Sequence, residues 1–383
     1  MSSASQKLEK YFRRIMGVLP ESFVSAEPTS LLFVFFGTIG LDLLSKLSPA
    51  DVDEFTEWVY DHQIRARKGF NKSCGFRGSS YLVGSTAVQQ TIQNSAYDCS
   101  HVTMVYNALC ILLTLGDDLS RVDRASVLQG ISALQCDDEP GLFRASLLSP
   151  ERDMRFVYSA VASCYILDGL NVIDRDAIIS FIDRSCTYEG GFGQLPGLEA
   201  HAGATYCAVA SLALLDALHI ILPLTSRRRD RLIKWLISLQ GKGFHGRMHK
   251  PDDTCYTFWV CASLRVNSVL RYSVSDPLHT YLCLSGLACL KSSRLFDPGN
   301  LSITMTVPAG DGNTSGDLPT SQAGHALTHF ECFQTLFTQT LRPVRPELNV
   351  TESTYNRLKE LHRKWRVHEK QPMANKLALA NFD

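Results

Sequence analysis

"AHAGATYCAVASLALL", residues 200–215, is apolar or small on nearly every side of a 3.6-residue period. A helix of that kind has no face suited to water, so it must be buried on both sides. The same pattern returns in "SHVTMVYNALCILLTL" (100–115), "RDMRFVYSAVASCYIL" (152–167), "DTCYTFWVCASLRV" (253–266) and "LHTYLCLSGLACL" (278–290). Their aromatic anchors, Tyr106, Tyr158, Tyr206, Phe258 and Tyr281, are spaced 52, 48, 52 and then 23 residues apart. A Gly/Phe turn precedes three of them: Phe143 lies 15 residues before Tyr158, Phe192 lies 14 before Tyr206, and Phe244 lies 14 before Phe258.

A period near 50 with two helices per unit predicts stacked helical hairpins. Amphipathic segments such as "RDRLIKWLISLQ" (229–240) would form an outer layer. The expectation is an all-α fold, an α/α toroid of inner and outer helices, with an open solenoid as the alternative. The last step is only half a period, so one hairpin reads as truncated. Ser149-Pro150, Asp253-Thr254 and Asp276-Pro277 read as N-cap pairs of inner helices. Parallel inner helices would gather several N-termini, with unpaired N–H groups, at one end.

The 383 residues carry 38 basic and 38 acidic side chains, so a broad nucleic-acid-binding surface is not implied and any anion site should be local. Twelve scattered cysteines without a CxxC pair suit reduced thiols in the cytoplasm. The most apolar run, "LLFVFFGTIGLDLL" (31–44), is shorter than a membrane span and is broken by Asp42, which reads as a buried helix. No secretory signal is evident at the N-terminus.

The expected chemistry gathers in "GRMHKPDDTCYTFW", 246–259. Arg247, His249 and Lys250 precede Asp253, Cys255 and Tyr256 at a predicted helix start, with His201 and His279 at the starts of other inner helices. Asp, Cys and His are zinc ligands, and a catalytic zinc keeps one position open. Taken singly, Asp253 reads equally as an N-cap, Cys255 as a small core residue, His279 as a satisfied histidine, and Arg247 and Lys250 as solvated charges. Tyr158, Tyr206 and Trp259 read as wall and core, or as the lining of an axial cavity.

The chain resembles the β subunits of protein geranylgeranyltransferase type I, a branch of the protein prenyltransferases. The resemblance is carried by "CGFRGSSYL" (74–82), "LGDDLSRV" (115–122), "DMRFVY" (153–158), "GLEAHAGATYC" (197–207), "FHGRMHKPDDTCYTFWV" (244–260), "DPLHTY" (276–281) and "PELNV" (346–350). It implies one Zn2+ per β subunit, held by Asp253, Cys255 and His279. Geranylgeranyl diphosphate would bind with its diphosphate on His201, Arg247, Lys250 and Tyr256. Its isoprenoid would lie against Arg155, Cys207 and Trp259, with Leu32 and Leu282 at positions that govern room for the chain. The implied partners are a prenyltransferase α subunit and CaaX proteins such as Rho-type small GTPases, X usually Leu. A chain keeping the toroid without a competent zinc site would instead be a non-catalytic binding subunit.

Three departures stand out, a substitution, a deletion and an insertion. Ala202 replaces a Gly of the family's His-Gly-Gly motif. About half a repeat is absent between Val266 and Ser273, including a lysine that stands in for magnesium in type I enzymes, so the magnesium requirement stays open. The expected organisation is a toroid over 1–292, a largely disordered insertion over 293–345, a C-terminal family segment over 346–368 and a polar tail over 369–383.

Overall fold

A computed structural model describes residues 4–19, 21–66, 71–79, 99–241, 243–267 and 341–379. In chain order the helices are α1 (Ala4–Met16), α2 (Ser30–Leu43), α3 (Pro49–Asp61), α4 (Val102–Leu115), α5 (Arg124–Ser132), α6 (Met154–Ile166), α7 (Arg175–Arg184), α8 (Ala202–Leu214), α9 (Arg227–Ser238), α10 (Tyr256–Asn267) and α11 (Glu352–Leu379). Two short antiparallel pairs accompany them, β1 (Gln63–Ile64) with β2 (Gly75–Phe76), and β3 (Val344–Arg345) with β4 (Val350–Thr351).

Helices α2, α4, α6, α8 and α10 pack side by side in that order and form the inner wall, as the apolar periodicity predicts. Outside them lie amphipathic helices with one buried stripe, such as Leu232, Trp235 and Leu236 on α9. The repeated turn is real. Phe143, Phe192 and Phe244 are buried and bridge back to Gln135, Cys186 and Gln240 at the ends of the outer helices. The apolar run 31–44 is the inner helix α2. By length and composition Phe23–Leu43 could cross a membrane, yet α2 is packed between α1 and α4. Its glycines admit α1: a Cβ at Gly40 would sit 2.6 Å from the Phe12 ring.

The two ends of the wall differ. At one end lie the N-termini of the inner helices, those of α4, α6, α8 and α10 capped by His101, Asp153, His201 and Asp253. Each of these side chains accepts the backbone N–H two residues on, in Thr103, Arg155, Gly203 and Cys255. Of the expected cap pairs, Asp253 caps α10. Ser149-Pro150 does not cap α6, because 149–152 is spent in a turn bridged to Arg144 and Ala145, and Asp153 takes the role. The pair at 276–277 lies outside the described residues.

At the other end, cations satisfy the inner helices' terminal carbonyls. Arg124, next to the N-cap of α5, donates to Leu167 O; Arg175, next to the N-cap of α7, donates to Leu215 O. Helix α11 crosses this end, with Arg357 on Leu113 O and Thr114 O and Arg366 on Asp168.

A strap of residues 341–351 runs beneath the wall. Tyr106, Tyr158 and Tyr206 present three hydroxyls 3.3 and 3.1 Å apart, which donate to three consecutive carbonyls, Leu348, Glu347 and Pro346, at 2.9, 3.0 and 2.8 Å. Buried Asp42 holds the same strap through Arg342 and Thr351, both at 2.6 Å. Leu341 and Val344, within the expected insertion, are packed here. Residues 268–340, with the truncated hairpin and the rest of that insertion, lie outside the described residues.

Candidate functional site

The N-terminal end of the wall gathers the chemistry. His201 Nδ1 accepts from Gly203 N at 3.0 Å, so its Nε2 carries the proton and donates to the Tyr256 hydroxyl oxygen, 3.3 Å away. Burial, and then the charge of Arg247, lower the basicity of His201 and hold it neutral. The Tyr256 hydroxyl proton is thereby left to serve another acceptor. Gly246 makes this placement possible, since a Cβ there would come 2.1 Å from the tyrosine ring.

Arg247 lies on the turn before α10, and its side chain donates to Glu199 at 3.1 Å. Lys250 is exposed on the same turn, its backbone N bonded to Arg247 O. The left-handed backbone of His249, φ 62°, reverses the chain between them.

The two acids of "PDDTC" divide the work. Asp252 ties the turn, accepting from Gly243 N at 2.7 Å and lying 3.2 Å from His245 Nδ1. Asp253 is exposed just before α10 and accepts from Cys255 N at 3.0 Å. Cys255 is buried, and burial, then the Asp253 carboxylate, push its thiol proton affinity up. A carboxylate and a thiol therefore meet at one helix start. Among the described residues no cluster of three or more His, Cys, Asp and Glu forms a metal site. His279, the expected third ligand, and Leu282 lie outside the described residues.

Arg155 stands exposed on the rim, locked to Asp153 at 2.6 Å. Cys207 is buried on α8. Trp259 is half-buried, its ring 5.2 Å from Tyr206 and 5.2 Å from Phe258. Leu32 is half-buried on α2 against the core. Ala202 is a buried first residue of α8 and is not among the positive-φ positions, so its backbone does not demand glycine. Two rim residues were not foreseen: His101, whose ring meets Phe156 at 5.8 Å, and Glu199. The signal for His101 was present. The caps at 101, 153, 201 and 253 each lie five residues before an aromatic anchor.

Comparison with known proteins agrees with this fold. A family model described as the prenyltransferase alpha-alpha toroid domain matches residues 4–273 and 269–350. A solved structure, Candida albicans protein geranylgeranyltransferase-I complexed with GGPP, superposes with a TM-score of 0.71, covering 94% of this chain and 99% of that one, at 22% identity, and so supports the fold. Fold and family match together define a toroid prenyltransferase subunit. The geranylgeranyl transferase type-1 subunit beta of Dictyostelium discoideum is 36% identical over 282 residues, 71% of this chain and 78% of its own. That of Arabidopsis thaliana is 32% identical over 365 residues, 91% and 90%. The chain belongs to the family of β subunits of protein geranylgeranyltransferase type I, enzymes that transfer prenyl groups.

Proposed function

We propose that this subunit transfers a geranylgeranyl group from geranylgeranyl diphosphate to the cysteine of C-terminal CaaX motifs, X usually Leu, on proteins such as Rho-type small GTPases. In this reading it works in the cytoplasm, paired with a prenyltransferase α subunit. The observation that carries it is the neutral His201–Tyr256 pair beside Arg247 and Lys250, at the N-termini of α8 and α10 and next to Asp253 and Cys255.

When the bond at C1 of the lipid breaks, negative charge grows on the departing diphosphate. Arg247 and Lys250 meet it with positive charge, and Tyr256 donates its hydroxyl proton in a hydrogen bond. His201 fixes the direction of that hydroxyl from behind. The helix starts add their unpaired N–H groups. Arg155, Cys207, Trp259, Leu32 and Leu282 would bound the lipid chain.

The donors present fit zinc: a hard carboxylate and a soft thiol lie two residues apart at a bend, the pairing expected of this borderline metal. Asp253, Cys255 and His279 would hold it, and bound there it lowers the pKa of a coordinated substrate thiol so that a thiolate exists at neutral pH.

The test is co-expression with an α subunit, then transfer of labelled geranylgeranyl to a Leu-ending CaaX peptide, with metal analysis of the same complex. Transfer and about one zinc per β chain are expected. Cys255→Ala should abolish transfer and zinc binding while the α subunit still co-purifies. Transfer that survives this change removes Cys255 from the ligand set.

A further inference from the structure

An acid sits inside the cationic rim. Glu199 Oε2 accepts from Arg247 at 3.1 Å, with the two side chains 49% and 43% exposed. It lies two residues before His201 and is near enough for its charge to act on that imidazole, opposing Arg247. A carboxylate here works against any anion the rim receives, so its presence calls for a reason.

We propose that Glu199 is the resident counter-ion of the diphosphate site. It neutralises Arg247 in the ligand-free protein and hands it over to the diphosphate, so that anion binding exchanges one carboxylate for one phosphate. The idea rests on the diphosphate reading of the rim given above.

Two effects of Glu199 on the anion oppose each other. Holding Arg247 in place favours binding, but a half-exposed ion pair orders its partners only weakly. Repulsion disfavours binding, and a carboxylate one guanidinium away from a multiply charged phosphate repels each of its charges. Repulsion wins. Glu199 therefore lowers affinity for the anion, and its gain is in release: the departing pyrophosphate leaves as the carboxylate reclaims Arg247.

The test titrates inorganic pyrophosphate into the full-length chain in complex with its α subunit, in magnesium-free buffer of low ionic strength. For Glu199→Gln the dissociation constant should fall about 3- to 10-fold, and the gain should shrink as salt is added. Asp176→Asn makes the same charge change on α7, far out at 94% side-chain exposure, and should leave pyrophosphate binding unaltered. In steady state, pyrophosphate should become a tighter product inhibitor of the Glu199 variant, with an unchanged unfolding temperature. A merely structural role would move the other way, giving weaker binding and a lower unfolding temperature. Weaker or unchanged binding in Glu199→Gln overturns the proposal. Arg247→Ala keeps the two readings apart: about a tenfold loss of pyrophosphate affinity supports the site, and wild-type affinity there overturns the diphosphate reading itself.

Discussion

Tyr256 shows how much one side chain depends on its neighbours. Its ring needs the missing side chain of Gly246, and its hydroxyl is aimed by His201, which is in turn fixed by Gly203 N. A neutral hydroxyl facing a charged group contributes about 1.5 kcal/mol, close to a factor of ten. Tyr256→Phe should therefore lower kcat about tenfold and leave the KM for the CaaX peptide near its original value, read by steady-state transfer assays. A raised peptide KM with unchanged kcat would place Tyr256 against the protein substrate instead. The sequence showed the residue types here but not their division of labour. Asp252 and Asp253 are identical and adjacent, yet one braces the turn and the other caps the helix. Only the path of the chain from Gly243 to Cys255 separates them. Glu199 was invisible for a related reason: its partner lies 48 residues away, and no local pattern joins them.

The elements were legible where burial is periodic. Inner helices announced themselves by lacking a polar face, and the anchors gave their register. Helix starts were harder, because a proline marks a possible start while the capping bond decides the real one, as Asp153 shows against Ser149-Pro150. The docking of α1 on α2 was hidden in two glycines. Gly40→Ala sets a helix-propensity gain of about 1 kcal/mol against a Cβ placed 2.6 Å from an aromatic ring. Overpacking of that kind costs about 1–3 kcal/mol. The ring is caught between two helices, so the clash should prevail and the variant should unfold at a lower urea concentration than the parent. A higher midpoint would mean that Phe12 swings aside freely.

At the scale of the molecule, charge is arranged by end: caps with acceptor atoms where the inner helices start, arginines where they finish. Four histidines, His62, His101, His201 and His362, have their basicity lowered, chiefly by burial. The folded chain thus binds their protons less readily than the unfolded chain does. Stability is fully present above the ordinary histidine pKa, about 6.5, and is lost as pH falls through the lower folded values. The unfolding temperature should drop between pH 7.5 and 5.5 in steps that His62→Gln reduces; a flat profile would show that these rings protonate without opening the fold. Asp42 joins distant parts of the chain. Asp42→Ala removes the acceptor that Thr351 and Arg342 share; Thr351 Oγ1 keeps the Ser353 and Thr354 hydroxyls at 2.9 and 3.1 Å, while Arg342, 43% exposed, can turn to water. The cost should be about 1–2 kcal/mol, seen as faster proteolysis of the segment after Leu341. Cleavage at the parental rate would show the strap to be held by its tyrosines alone.

The strap gives the biosynthesis of this polypeptide an unusual schedule. A ribosome has released all five inner helices described here before it translates the peptide whose carbonyls receive Tyr106, Tyr158 and Tyr206. Until then Asp42 waits without Arg342 and Thr351. A nonsense codon just ahead of Leu341 would spare every residue of the rim, yet the truncated product should go to quality control rather than to work.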